Sequence, residues 1–383
     1  MSVFNSLLIK LSIAAWLMIA VGSPVLSHAR ATLTILILDG ANEGFNAFDL
    51  PDPASTAGGN AGATLGDQRR IAFLFAADKW ANILFSDVPI RVEVKFDPLA
   101  CAATTASLGA AGTNTVHRDF IRAQVSNTWY PAALANAIAG VDLSPGTSDI
   151  NATFNSTLDD GSCLFPKIWY YGLDGNPPPN AIDFVSIVLH ELGHGLGFQT
   201  FVNLSTGEKL GGIDDIFMLW LENHTTGLLY PGMTNAERVT ASIDTGNLHW
   251  VGPNGIADSA GLTSGRHPSG HVEMYAPNPL EPGSSVSHFS TSLTPDELME
   301  PSFTGANHDV GLARAVMADI GWRTAIALQT APSVAPATDG GGGGGGCFIS
   351  STAGGTSALL SPASGATTIG SSAPDATIGR GSF

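Results

Sequence analysis

Positive charge is scarce in this chain. Of 383 residues, 16 are Lys or Arg against 33 Asp or Glu, giving a formal net charge of -17 with only 13% of residues charged. A surface built to follow phosphate is excluded by that balance, and nucleic acid is not an expected partner. The acidic surplus reads first as solubility outside the cell, and it also favours cations such as Ca2+, although no run matches a calcium-loop pattern. Cysteine is equally sparse. Of Cys101, Cys163 and Cys347, an oxidising compartment pairs Cys101 with Cys163 and leaves Cys347 alone; two separate buried thiols are the alternative. No stretch beyond the N-terminus is apolar enough to span a bilayer, which takes about 20 residues, and no internal repeat of fixed period is present.

The first 29 residues carry Lys10 ahead of an apolar run from Leu11 to Val21, then Pro24 and a small-x-small site at Ser27-His28-Ala29. This is the pattern of a signal peptide, so a secreted chain starting near Arg30 is expected. A hydrophobic content of 44% supplies a sizeable core for residues 30–325, read as one domain with a cleft between about 32–200 and 201–325. From 326 to 383 the composition turns to Ala, Ser, Thr and Gly, with six glycines at 341–346 ahead of Cys347. Such a tail lacks the apolar surface needed to offset its ordering entropy, and a tail without regular structure is expected.

Within the domain, Ala31–Gly40 reads as a buried strand. Asp67–Phe85 reads as an amphipathic helix capped by its Asp, with Ile71, Leu74, Phe75, Trp80 and Leu84 at helical spacing. Strict alternation of Val88, Ile90, Val92, Val94 and Phe96 predicts a strand with one face in the core. Further helices are expected near His117 and Pro131, a strand at Lys167–Gly175, and a short closing helix in Val310–Trp322. The class is α+β, with a mixed sheet, a long N-terminal helix and an irregular C-terminal half.

The chemistry concentrates in "VLHELGHGLGF", residues 188–198. His190 and His194, four apart on a helix, present both imidazoles on one face, where their nitrogens can meet a Zn2+ ion at about 2.0–2.1 Å. Glu191 lies beside the first of them, placed to take a proton from a bound water as general base. Glycines at 193, 195 and 197 each weaken a helix by about 0.8–1.0 kcal/mol relative to Ala, which implies close packing or, at Gly197, a turn. Two histidines leave zinc one protein ligand short. The extended pattern H-E-x-x-H-x-x-G-x-x-H puts its third histidine where this chain has Thr200. Downstream stand His224, His249, His267, His271, His288 and His308, with Asp214 and Asp215 as carboxylate options.

The zinc-helix motif, followed far downstream by "SVSHFSTSLTPDELMEPSF", resembles the leishmanolysin type of metzincin and, more closely, secreted bacterial zinc metalloproteases related to it. "EGFNAFD", "FDPLAC", "WYYGLDG", "MYAPNPLEPGSSVSHFS" and "VGLARAVMADIGW" extend the likeness over most of residues 32 to 323. The resemblance implies His288 as the third zinc ligand and Met299 as the methionine of the turn beneath the metal. A Ser-rich, Pro-bounded loop around His288 and the turn forced at Glu300-Pro301 suit those roles, whereas Asp214 suits a helix cap or a brace better than a ligand. The tail's glycine run and Cys-Phe-Ile are similar to a C-terminal motif of bacterial surface proteins. Nothing comparable to the inhibitory-cysteine pro-segment of leishmanolysin precedes the first strand, so latency by that route is not expected. The function expected from these signals is zinc-dependent cleavage of peptide bonds in peptide or protein substrates by a monomer. A surface or adhesion protein with a structural zinc, and a zinc hydrolase of other amides or esters, are the alternatives.

Overall fold

The computed structural model describes residues 29–51, 58–102 and 105–325, together with the backbone of two short strands in the tail. Nearly all of the expected signal peptide, and Cys347, lie outside the described residues. In chain order the first half contains β1 (Leu33–Ile37), α1 (Leu65–Ala81), β2 (Ile90–Asp97), β3 (Ser107–Thr113), β4 (Thr115–His117) and β5 (Thr128–Pro131). Next come α2 (Ala132–Ala139), β6 (Ile150–Asn155), β7 (Ile168–Tyr170), β8 (Ala181–Asp183) and α3 (Phe184–Leu196). The second half holds β9 (Asp214–Asp215), β10 (Leu221–Asn223), β11 (Leu228–Leu229), α4 (Asn235–Ala241), β12 (Leu248–Trp250), α5 (Pro253–Asp258), β13 (Val272–Glu273) and α6 (Ala313–Asp319). The tail adds β14 (Ala366–Thr368) and β15 (Asp375–Thr377). Helices and mixed sheets interleave, so the α+β class holds.

The main sheet runs in the order β1-β2-β6-β3-β15. β1, β2 and β6 are parallel, and β3 is antiparallel to both β6 and β15. β2 buries alternate residues as its period predicts. Phe45, Phe73, Phe96, Phe154 and Phe184 meet with centroids 4.9–6.4 Å apart, joining α1 and α3 to the sheet. Each ring that leaves water contributes about 1.5–3 kcal/mol. Two indoles then fix α3: Trp80 donates to the Leu189 carbonyl and Trp322 to the Leu196 carbonyl, both at 2.9 Å. The closing helix expected near Val310–Trp322 is α6, and Trp322 just beyond it makes the second of these bonds.

Several expectations need correction. β1 is an edge strand rather than a buried one: among the described residues it pairs only with β2, and Leu36 and Leu38 are about half exposed. α1 is capped by Thr64, with Asp67 three residues on returning its carboxylate to the Thr64 N–H. Its core face is Ala72, Phe73, Ala76, Ala77 and Trp80, while Leu74 is exposed. Alanines let the helix sit close to α3, and that nearness outweighs the larger side chains on the other face. The region of His117 is strand β4, and only the helix after Pro131 forms. The expected pairing of Cys101 with Cys163, by contrast, is present as a disulfide, with Cα atoms 5.9 Å apart. The tail was expected to lack regular structure, yet β14 and β15 pair with β4 and β3; open strand edges offer unpaired backbone groups that such segments can satisfy. Among the described residues no helix is long and apolar enough to cross a membrane.

Candidate metal centre

α3 begins at Asp183, whose Oδ1 accepts from the Ser186 N–H and hydroxyl at 2.7 Å each. All thirteen of its residues are buried. This burial explains the helix's glycines, whose neighbours come too near for a side chain. A Cβ on Gly193 would lie 2.6 Å from the Met299 sulfur, and one on Gly195 would strike Ile150. Gly197 ends the helix at φ +126°, a conformation that L side chains rarely adopt.

The three histidines converge. Nε2 of His190 is 3.0 Å from Nε2 of His194 and 3.1 Å from Nε2 of His288, and the remaining pair is 3.2 Å apart. Each ring's other nitrogen is held by a backbone carbonyl: His190 Nδ1 donates to Leu298 at 2.8 Å, His194 Nδ1 to Phe198 at 2.9 Å, and His288 Nδ1 to Ser284 at 2.7 Å. With Nδ1–H committed, every Nε2 lone pair faces the shared centre. Burial drives the pKa of His190 down to about 4; burial, then the neighbouring imidazoles, hold His194 and His288 well below the ordinary value. Neutral imidazoles are what a metal requires.

This arrangement fits zinc. Tetrahedral bonds of 2.0–2.1 Å set ligand nitrogens about 3.3 Å apart, and the observed spacings fall within a few tenths of that. Three protein donors also leave one position for water or substrate, the composition of catalytic rather than structural zinc sites.

Around the triad, Glu191 is fully buried against β3, where a Cβ on Gly109 would stand 2.8 Å from its Cγ and 2.9 Å from its Oε1. Only glycine leaves that carboxylate its room. Met299 is buried beneath the helix at Gly193, and its neighbour Leu298 supplies the carbonyl that orients His190. Met299 also accepts from the Phe289 N–H at 2.9 Å through its own carbonyl, pinning the residue after His288. A cavity of about 390 Å³ opens beside His190, lined among others by Ser186, Ile187, Glu297, Leu298 and Phe303.

Thr200 stands outside the triad and has a different task. Its hydroxyl and the Phe201 N–H both bond Asp215 Oδ2 at 2.8 Å, while the Thr200 N–H reaches the Ser287 hydroxyl at 3.2 Å. Asp215 also accepts from the Met218 N–H at 2.7 Å. Burial raises its pKa to about 6 against the pull of the backbone hydrogen bonds. Thr200 therefore ties the end of α3 to β9 and to the residue before His288. Asp214 pairs with Lys209 at 2.6 Å and His308 with Asp183 at 2.8 Å, so neither carboxylate option nor His308 joins the triad. His224, His249, His267 and His271 gather elsewhere, at the edge of the β10–β13 sheet, with His249 on β12. The roles of Gly109, Asp215 and the three orienting carbonyls escaped sequence reasoning. Backbone acceptors have no sequence signature, and Gly109 is one of 45 glycines.

Comparison of the chain with protein-family models, with curated proteins and with solved structures finds no match.

Proposed function

We propose that this protein is a secreted zinc endopeptidase of the leishmanolysin-like metzincin type, with His190, His194 and His288 as the zinc ligands. The observation that carries the reading is the convergence of three buried Nε2 atoms within 3.2 Å of one another, next to a buried carboxylate one residue along the helix. Zinc in such a site lowers the pKa of a bound water toward 7 and polarises a carbonyl. The remaining work belongs to the chain. Glu191 takes the proton from the attacking water and returns it to the departing amine, a role worth about 10²–10⁴ in rate. The low-dielectric surroundings of α3 strengthen each charge interaction during that transfer. The Leu298, Phe198 and Ser284 carbonyls keep the imidazoles in the required tautomer. Thr200, bonded to Asp215 and Ser287, holds the two ligand-bearing segments in register.

An extended peptide is proposed to bind beside β3, whose backbone passes Glu191 at Gly109, with the cavity next to His190 receiving a side chain. Strand β15 already pairs with β3 at Ser107, Gly109 and Ala110, so substrate and tail compete for one edge.

The test is the Glu191→Gln variant with casein as substrate. It should retain zinc and lose cleavage by at least about 10²-fold. Undiminished cleavage by the purified variant would remove Glu191 from the mechanism.

A further inference from the structure

We propose that the protein holds a second divalent transition-metal ion, bound by Glu222, His224 and His271 on the outer face of the β10–β13 sheet. The site is independent of the triad and of the peptidase reading.

Strand alternation assembles it. The sheet runs β11-β10-β12-β13 with antiparallel pairs, and the register places Glu222 opposite His249 and His249 opposite Glu273. Side chains two apart on an extended chain share a face, so Glu222 of β10 stands with His224, which directly follows β10 and still bonds the Asn247 carbonyl through its N–H at 2.8 Å, and His271, just before β13, lies on the side of Glu273. The intervening residues Leu221, Leu248, Trp250 and Val272 fill the core on the opposite face. One face therefore carries imidazoles and carboxylates, and the other is apolar.

The donor atoms are close. His224 Nε2 is 2.8 Å from His271 Nδ1 and 3.2 Å from Glu222 Oε1, and the last pair is 4.0 Å apart. Two imidazoles with one carboxylate make a donor set used by zinc in hydrolases and by other borderline divalent ions. All three side chains are partly buried, so the assembly is built into the sheet rather than strewn over the surface. His249 stacks on His224 with centroids 3.8 Å apart and planes at 16°, and His267 meets the same ring edge-on at 4.5 Å. Stacking fixes the orientation of the His224 ring. His267 is brought near by the turn in which its N–H bonds the His271 carbonyl at 2.9 Å and its carbonyl accepts from the Gly270 N–H at 2.8 Å. Glu273 is engaged elsewhere, accepting from the Ser290 and Ser292 hydroxyls at 2.8 Å each.

That last contact shows what the ion would do. The chain continuing from β13 pairs with the segment that bears His288: the Tyr275 N–H donates to the His288 carbonyl at 2.9 Å, and the Ser290 N–H to the Glu273 carbonyl at 2.9 Å. A metal joining His271 to β10 clamps the strand against which the third triad histidine is laid.

The experiment is zinc chloride titration of the full chain, read by native mass spectrometry and calorimetry. Wild type should take up two ions. His190→Ala, which disables the triad, should still take up one. Adding Glu222→Gln or His224→Ala to that background removes a ligand outright and should weaken the remaining ion by at least the roughly 10–100-fold that loss of a mere ligand-orienting partner costs. The proposal fails if His190→Ala binds no zinc while keeping the wild-type near-ultraviolet circular dichroism, or if Glu222→Gln leaves the second ion unchanged. Should His190→Ala not fold, the wild type decides through the histidine side-chain resonances: shifts of His224 and His271 during titration support the site. Unmoved resonances mean that the 2.8 Å contact is an ordinary imidazole–imidazole hydrogen bond. A triad that binds no ion would lower the wild-type count to one but leave uptake by His190→Ala, and its loss with Glu222→Gln, as predicted, so the two readings fall separately.

Discussion

At the scale of single residues, the candidate centre depends on a few positions where only one side chain fits. Gly109 is the sharpest case. Alanine there drives a methyl group to within 2.9 Å of the Glu191 carboxylate oxygen, and β3, held on both sides by its neighbours, has little room to yield. A displacement of about 1 Å in a catalytic group can cost roughly 10²-fold in rate. Gly109→Ala is therefore expected to keep its zinc and its fold while kcat on casein falls by about that factor; steady-state kinetics beside a metal assay checks it. An unchanged kcat would mean that Glu191 is not held by this contact. Residues also mark where sequence reasoning reached its limit. His190, Glu191 and His194 were legible because a helix turns local spacing into a shared face. His288 needed the family resemblance, since ninety-odd residues of chain separate it from the helix and spacing alone did not select it among the downstream histidines. Thr200, read only as a missing ligand, proves to be a tie between Asp215 and Ser287.

At the scale of elements, periodic segments are legible in the sequence and context-dependent ones are not. β2 alternates along its whole length and buries the face that its pattern marks. The helix expected over Asp67–Phe85 exists as α1 but runs Leu65–Ala81 behind a Thr64 cap, and its buried stripe is alanine-rich, because proximity to α3 matters more there than side-chain size. The histidines beside the β10–β13 sheet have no recognisable ligand spacing in sequence: Glu222 on β10 and His224 just past its end are neighbours, yet His271 joins them only through pairing of three strands. The tail strands were missed for a similar reason, since short polar segments become strands only where an edge awaits them. That pairing gives a test. If β15 and a substrate peptide use the same edge of β3, a chain ending at Ala325 should cleave a small unfolded substrate with a lower KM than the full chain, at similar kcat. Equal KM values would show that the tail does not compete.

At the scale of the whole molecule, an apolar core links the sheet and α1 to the irregular C-terminal half, and the triad lies where the two halves meet: two histidines on α3, the third from beyond residue 280. The disulfide between Cys101 and Cys163 closes a loop of 62 residues on the side that carries β3 and β6, an arrangement worth about 2–4 kcal/mol in domains of this kind. On this reading two imidazoles of one helix and a third from far along the chain bind one ion. The most direct measurement is a crystal structure of the zinc-loaded protein with anomalous data at the zinc edge. The account predicts a peak at about 2.0–2.1 Å from Nε2 of His190, His194 and His288 together. A zinc-loaded crystal with no peak among those rings, or with the ion bound to the helix pair while His288 points away, would contradict it.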